Sequence, residues 1–225
     1  MPQNPARTAR TRAEILGHAG RLFRLRGYAG TNIDDVMLAA GLTRGAFYAH
    51  FKSKDELFTE AVIAGTGLRT RLRQGEPVAV LKAYLDKAEL VASAPGCVLA
   101  SLPSDVARAP LIARLAYANL LHATIAELAR GRRRKLDADA TVVAILAVGA
   151  VTLARASGDT RLGDWLLRCA GRAALPLLKP RASPAKRRSR SRRKVAGARR
   201  AKPAARSRGG RAAAGPKARS SAARR

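Results

Sequence analysis

Thr43, Arg44, Ala46, Tyr48 and His50 crowd into one short stretch, with Gly45 inside it and Lys52 and Lys54 just beyond. These are side chains suited to nucleic-acid recognition. A guanidinium such as that of Arg44 forks two parallel N–H bonds onto a guanine edge, a contact worth about 1–3 kcal/mol of discrimination. The same group also binds a phosphate, and residue type alone leaves both roles open. Thr43 and Ala46 are small enough to lie against base edges or thymine methyls. Gly45 has no side chain, which lets a backbone approach a groove closely. Lys52 and Lys54 bring charge for phosphates, and the hydroxyl of Thr31 can donate to one as well.

Such residues work only if rigid elements present them. Residues 31–57 read as a helix, a tight glycine turn, a second short helix and the capped start of a third, the layout of a helix-turn-helix reader. Asn32 precedes an amphipathic run and Asp35 follows three residues later, an imperfect capping box. Ile33, Val36, Met37 and Ala40 share one face at helical spacing. Gly41 then supplies the left-handed turn out of the helix. Leu42 re-enters the core and Thr43 stands where a cap is needed. Phe47 and Phe51 point inward with Leu42, which leaves Thr43, Arg44, Ala46, Tyr48 and His50 outside. Ser53 and Glu56 make a better capping box for the next helix.

At Ala40, Gly41, Leu42, Thr43, Arg44, Gly45, Ala46, Phe47, Tyr48, Ala49, His50 and Phe51 the chain resembles the TetR family of bacterial transcriptional regulators. The preceding helix fits the family too, with Ile15, Ala19, Leu22 and Phe23 followed by Arg26-Gly27-Tyr28, so the resemblance covers residues 9–69. It implies that Tyr48 and His50 are phosphate contacts, although each also suits a packing position. It further implies a dimer on double-stranded DNA with a palindromic site, and a small-molecule effector bound among the central helices. The expected fold is all-α. Residues 1–8 form a flexible N-terminus and 9–52 a three-helix helix-turn-helix domain. Residues 53–179 form a helical ligand-binding and dimerisation bundle, and 180–225 a disordered tail.

Charge points the same way. The chain has 44 Lys and Arg against 15 Asp and Glu, a net charge of +29, which favours a nucleic-acid partner over an acidic metabolite. Residues 181–225 hold 18 of those basic residues and no acidic one. They are built from Arg, Lys, Ala, Ser, Pro and Gly with Val195 as the only large aliphatic, so no core can form from them. The blocks Lys186-Arg187-Arg188 and Arg192-Arg193-Lys194 resemble linker-histone tails, a departure from the TetR pattern. A flexible polycation of this kind adds salt-sensitive, sequence-independent affinity for DNA.

The bundle reads as helices over residues 53–73, 77–94, 110–130, 141–156 and 161–178, with a break at Pro95-Gly96 and a short segment from Cys97 to Pro103. The basic cluster from Arg132 to Lys135 follows Gly131. Residues 142–153 are apolar nearly all round and must be covered on several sides, by this domain or by a partner. Trp165, Leu166, Cys169 and Leu175 fall on or near one face of the last helix. Pro176 bends or frays its end.

Other classes find less support. The longest uncharged run, residues 140–154, is 15 residues, short of the ~20 that cross a bilayer. No apolar stretch follows the basic N-terminus, so a cytoplasmic location without membrane association is expected. Cys97 and Cys169 have neither CxxC spacing nor a framework of partners, so neither metal nor cofactor is implied. Cys97 follows the Pro-Gly break and is a candidate thiol sensor, with inert packing the alternative. His18, His50 and His122 are scattered, and no catalytic constellation appears. Two readings of different class remain: a ligand-responsive transcriptional regulator, a repressor by family tendency, and an architectural nucleoid protein in which the tail dominates.

Overall fold

The structure, a computed structural model, describes residues 5–86, 96–130 and 137–178. Every α-helix or 3-10 turn in them belongs to one helical architecture, and no strand occurs among the described residues. The reader comprises α1 (Pro5–Arg26), α2 (Ile33–Ala39) and α3 (Arg44–Phe47). The bundle begins with α4 (Lys54–Ala64), α5 (Gly67–Gln74) and α6 (Pro77–Tyr84). Two short helices, α7 (Val98–Ser101) and α8 (Pro103–Arg108), lead into α9 (Leu111–Leu128), α10 (Ala138–Ala156) and α11 (Thr160–Ala174).

Two apolar cores hold this together. The first joins reader to bundle: Ile15, Ala19 and Phe23 of α1 meet Val36, Met37, Phe47 and Phe51, and then Leu57, Phe58, Ala61 and Val62 of α4. Phe58 sits at the centre of an aromatic cluster in that core. Its ring meets Phe23 and Tyr28 edge-on, with centroids 5.1 Å apart in both pairs, a geometry that adds about 0.5–1.5 kcal/mol per pair beyond area burial. Truncating such a buried aromatic costs about 3–5 kcal/mol. The second core packs α10 against α6, α9 and α11 through Leu81, Tyr84, Leu128, Val143, Ala147 and Leu167.

Local chemistry sets five of the helix starts. Asn32, Ser53, Asp137 and Asp159 each accept a backbone N–H of the first turn, and Glu76 does so ahead of Pro77. Gly158 closes α10 with φ +63°.

Several expectations need correction. Helix α1 begins at Pro5, inside the stretch expected to be flexible. The helix expected over 53–73 is two helices, broken at Gly65-Thr66. A Cβ on Gly65 would lie 2.2 Å from Val98 Cγ2, so the break is where α7 presses against the chain. Helix α10 starts at Ala138, three residues early, because Asp137 caps it. At 19 residues and a mean hydropathy of 1.7, α10 is long and apolar enough to cross a membrane by length and composition. Here its residues Val143, Ala147 and Val151 lie in the core. The buried face of α11 is Gly163, Leu167, Ala170 and Ala174, and Trp165 points outward, 54% exposed. Small residues win that face because α11 lies close against α10, with Gly163 over Ala154. Pro176 turns the end of the helix into a 3-10 turn, Leu175–Leu178. The tail, residues 87–95 and the cluster from Arg132 to Lys135 lie outside the described residues.

Candidate nucleic-acid interface

The geometry of the reader is built on short range. The side chain of Asn32 accepts the N–H of Asp35 at 2.6 Å and fixes the start of α2. At its far end Gly41 takes φ +68°, and the N–H of Leu42 donates back to the Met37 carbonyl at 2.9 Å. That reversal points Leu42 toward the core and leaves Thr43 at the head of α3 in an extended conformation. Thr43 occupies the capping position without making a side-chain cap bond. Phe47 and Phe51 are buried and stacked, with centroids 5.8 Å apart. They anchor a short element whose other side is open.

On that open side lie Thr43, Arg44 and Gly45, all exposed. A Cβ on Gly45 would meet no atom within 4 Å, so the interior does not require glycine there. Ala46 is half-buried against the reader core. Tyr48 is 60% exposed and touches the core only by the edge of its ring on Phe47, at 5.2 Å. His50 is half-buried, and its Nδ1 is enclosed without a hydrogen-bond partner. Only its other nitrogen is left to meet a phosphate.

The lysines differ. Lys52 is exposed, and its backbone N–H donates to the Glu56 carboxylate at 2.7 Å, while the Glu56 N–H donates to the Ser53 hydroxyl. Lys54 is half-buried, its ammonium 4.1 Å above the ring of Tyr28. The Tyr28 hydroxyl donates to Asp55. Burial, then this bond to a carboxylate, pushes the Tyr28 phenol up to about 12.

Thr31 is a correction. It is fully buried, and its hydroxyl donates to the Gly27 carbonyl at 2.9 Å, so the side chain is engaged inside the protein and is not open at the surface. Gly27 itself takes φ +71° at the turn that precedes Thr31.

Residue types and spacing did not reveal three participants. Arg12 of α1 donates to the His50 carbonyl and to Glu60, and lies over the Phe51 ring. Hydrogen bonding to Glu60 raises the Arg12 guanidinium further above its ordinary value. Asp34 accepts from Arg44 Nη1 at 2.6 Å. Each pairing joins residues far apart in sequence, and no local signal announces it.

In the bundle Cys97 is half-buried and forms no disulfide among the described residues. It lies close to Tyr84 and Tyr117, whose phenols rise through burial first and then through the thiol, Tyr117 to about 12 and Tyr84 well above its usual range. Burial depresses the nearby Arg24 guanidinium. An open groove of about 420 Å³ is lined by Ile63, Thr66, Arg69, Ile112, Leu115 and Asn119.

Residues 15–61 match the family described as "Bacterial regulatory proteins, tetR family". The HTH-type transcriptional regulator AcrR of Shigella flexneri is 50% identical over 50 residues, 22% of this chain and 23% of that protein. The HTH-type transcriptional repressor KstR2 of Mycolicibacterium smegmatis is 36% identical over 61 residues, 27% of this chain and 30% of its own length. The chain thus matches less than a third of these relatives. Among solved structures, the reduced form of E. coli NemR superposes with a TM-score of 0.57 at 22% identity, over 72% of this chain and 95% of that one. A TetR-family transcriptional regulator from Cytophaga hutchinsonii gives 0.56 at 19% identity, over 76% and 96%. These two structures share the fold.

Proposed function

We propose that this chain, which carries a tetR-family DNA-binding domain at residues 15–61, is a ligand-responsive transcriptional regulator that binds a palindromic operator as a dimer. One observation carries this reading. Thr43, Arg44, Gly45 and Tyr48 stand exposed on an element anchored from behind by Phe47 and Phe51. Thr43, Arg44 and Ala46 meet base edges in the major groove, while Tyr48, His50, Lys52 and Lys54 hold phosphates and set register.

The dimer reading rests on an exposed apolar surface. Val142, Ile145 and Leu153 of α10 and Leu162 and Trp165 of α11 are all exposed large apolar residues on adjacent helices. A second copy covering this face by two-fold symmetry pairs two readers, so the operator is an inverted repeat. The effector reading rests on α4. Its Leu57, Phe58 and Ala61 belong to the reader core, and its last turn contributes Ile63 to the groove that Arg69 and Ile112 line. A molecule that binds this groove better in one arrangement of α4 than another shifts the reader with it. Cys97 is kept as the secondary candidate for sensing.

The tail adds non-specific affinity without changing the preferred operator, and the protein works in the cytoplasm on the nucleoid. Its charge, 18 basic residues and no acidic one in residues 181–225, also favours an architectural role. Selection of bound duplexes from a random pool separates the two. A regulator enriches an inverted repeat; an architectural protein enriches no sequence.

A further inference from the structure

We infer that Asp34 is a positioning residue that dedicates Arg44 to a base edge rather than to a phosphate. This rests on the regulator reading above.

The carboxylate of Asp34, in the first turn of α2, accepts from Arg44 Nη1 at 2.6 Å across the glycine turn. Both side chains are open to solvent, 61% exposed for Arg44 and 55% for Asp34, so the pair is presented at the surface. Two consequences follow. A free arginine at this position moves through many rotamers and meets a phosphate as readily as a guanine. The bond to Asp34 holds one corner of the planar fork and leaves the Nε and Nη2 edge to form the bidentate contact that guanine O6 and N7 accept. The carboxylate also repels phosphate oxygens and offsets the charge of Arg44, so the electrostatic gain of a backbone contact shrinks. A neutral base edge suffers less from that negative charge. The pair therefore lowers indiscriminate attraction and favours directional hydrogen bonding at one base pair.

The arrangement extends along α2. Asp35, the next residue, pairs with Arg26 at 3.2 Å while its N–H is bound by Asn32. The cap and that second pair fix the first turn of α2, so the position of Asp34 does not depend on Arg44.

The test uses the full chain and the variants Asp34→Asn, Arg44→Lys and the double variant. Each is put through selection from a random duplex pool and through salt titration on a random duplex. Asparagine keeps the size and the helix-start preference of aspartate, and thermal melting checks the fold. The expected result has three parts. Arg44→Lys erases preference at one base pair of each half-site. Asp34→Asn weakens that same preference by about two- to tenfold, a fraction of a bidentate contact. It also raises affinity for random duplex, and the salt slope steepens by about 0.9 as Arg44 turns to a phosphate. In the Arg44→Lys background Asp34→Asn adds no further loss of preference. An unchanged base preference and salt slope in Asp34→Asn overturns the inference, as does a loss elsewhere in the site. If Arg44→Lys alters no base preference, the inference falls and the regulator reading stands. If the parent chain enriches no sequence, both fall.

Discussion

Arg12 donates to the backbone carbonyl of His50 at 3.3 Å while its guanidinium lies 4.4 Å from the centre of the Phe51 ring. It also pairs with Glu60. One side chain of α1 thus holds the end of the recognition segment against α4. The exposed residues Thr43, Arg44, Gly45 and Tyr48 are thus anchored by Phe47 from behind and by this contact at the far end of the segment.

Replacing Arg12 by alanine should therefore affect DNA binding more than folding. The ion pair is partly solvated, so its loss costs about 1 kcal/mol of stability after screening. Melting should fall by only a few degrees. Operator affinity should drop by tenfold or more as the segment loosens. A melting loss without a binding loss contradicts this role.

Gly45 separates packing from recognition. Because a Cβ there meets nothing within 4 Å, Gly45→Leu should leave melting within a degree or two of the parent. On DNA the added side chain stands between backbone and groove, and affinity for the operator should fall at least tenfold. Unchanged operator binding by Gly45→Leu places the groove elsewhere.

Ile145→Asp tests the dimer. Ile145 is 65% exposed in the single chain, so the charge costs little to an isolated copy but much to a covered interface. Sedimentation should show a monomer that has lost most operator affinity, with helical content retained. A dimer that persists in Ile145→Asp moves the interface off α10.

Three tyrosines make stability sensitive to alkali. The phenols of Tyr28 and Tyr117 are raised to about 12 and that of Tyr84 well above its usual range, with burial the first cause in each. A raised phenol favours the neutral form in the folded state. Its contribution is complete below the unfolded value of about 10 and is lost as pH climbs toward 12. Melting temperature should be level from pH 7 to 9 and fall steeply above about 10. Tyr28→Phe should flatten part of that fall.

The reader was legible because its signals are local. Asn32, Gly41 and Ser53 act within a turn of themselves, and the Phe47–Phe51 spacing declares which side is buried. What escaped was set by distant partners. Thr31 looked like a surface hydroxyl until the chain folded back on Gly27. The helix break at Gly65 depends on Val98, and nothing near Gly65 in sequence announces it. The face shared by Trp165, Leu166 and Cys169 is not the buried one, because α11 packs on α10 through small residues such as Gly163. The Asp34–Arg44 pair spans a turn whose geometry sequence spacing does not give.

The most direct measurement is DNA binding by residues 1–225 and 1–180 in parallel. Each is tested on DNA flanking its own gene and on a shuffled control, from ~50 to 300 mM salt, where phosphate contacts declare themselves. Both should prefer the flanking DNA, and only 1–225 should bind the shuffled control strongly at low salt. If neither form discriminates and binding disappears with residues 181–225, the protein coats DNA through its tail and the regulator reading is wrong.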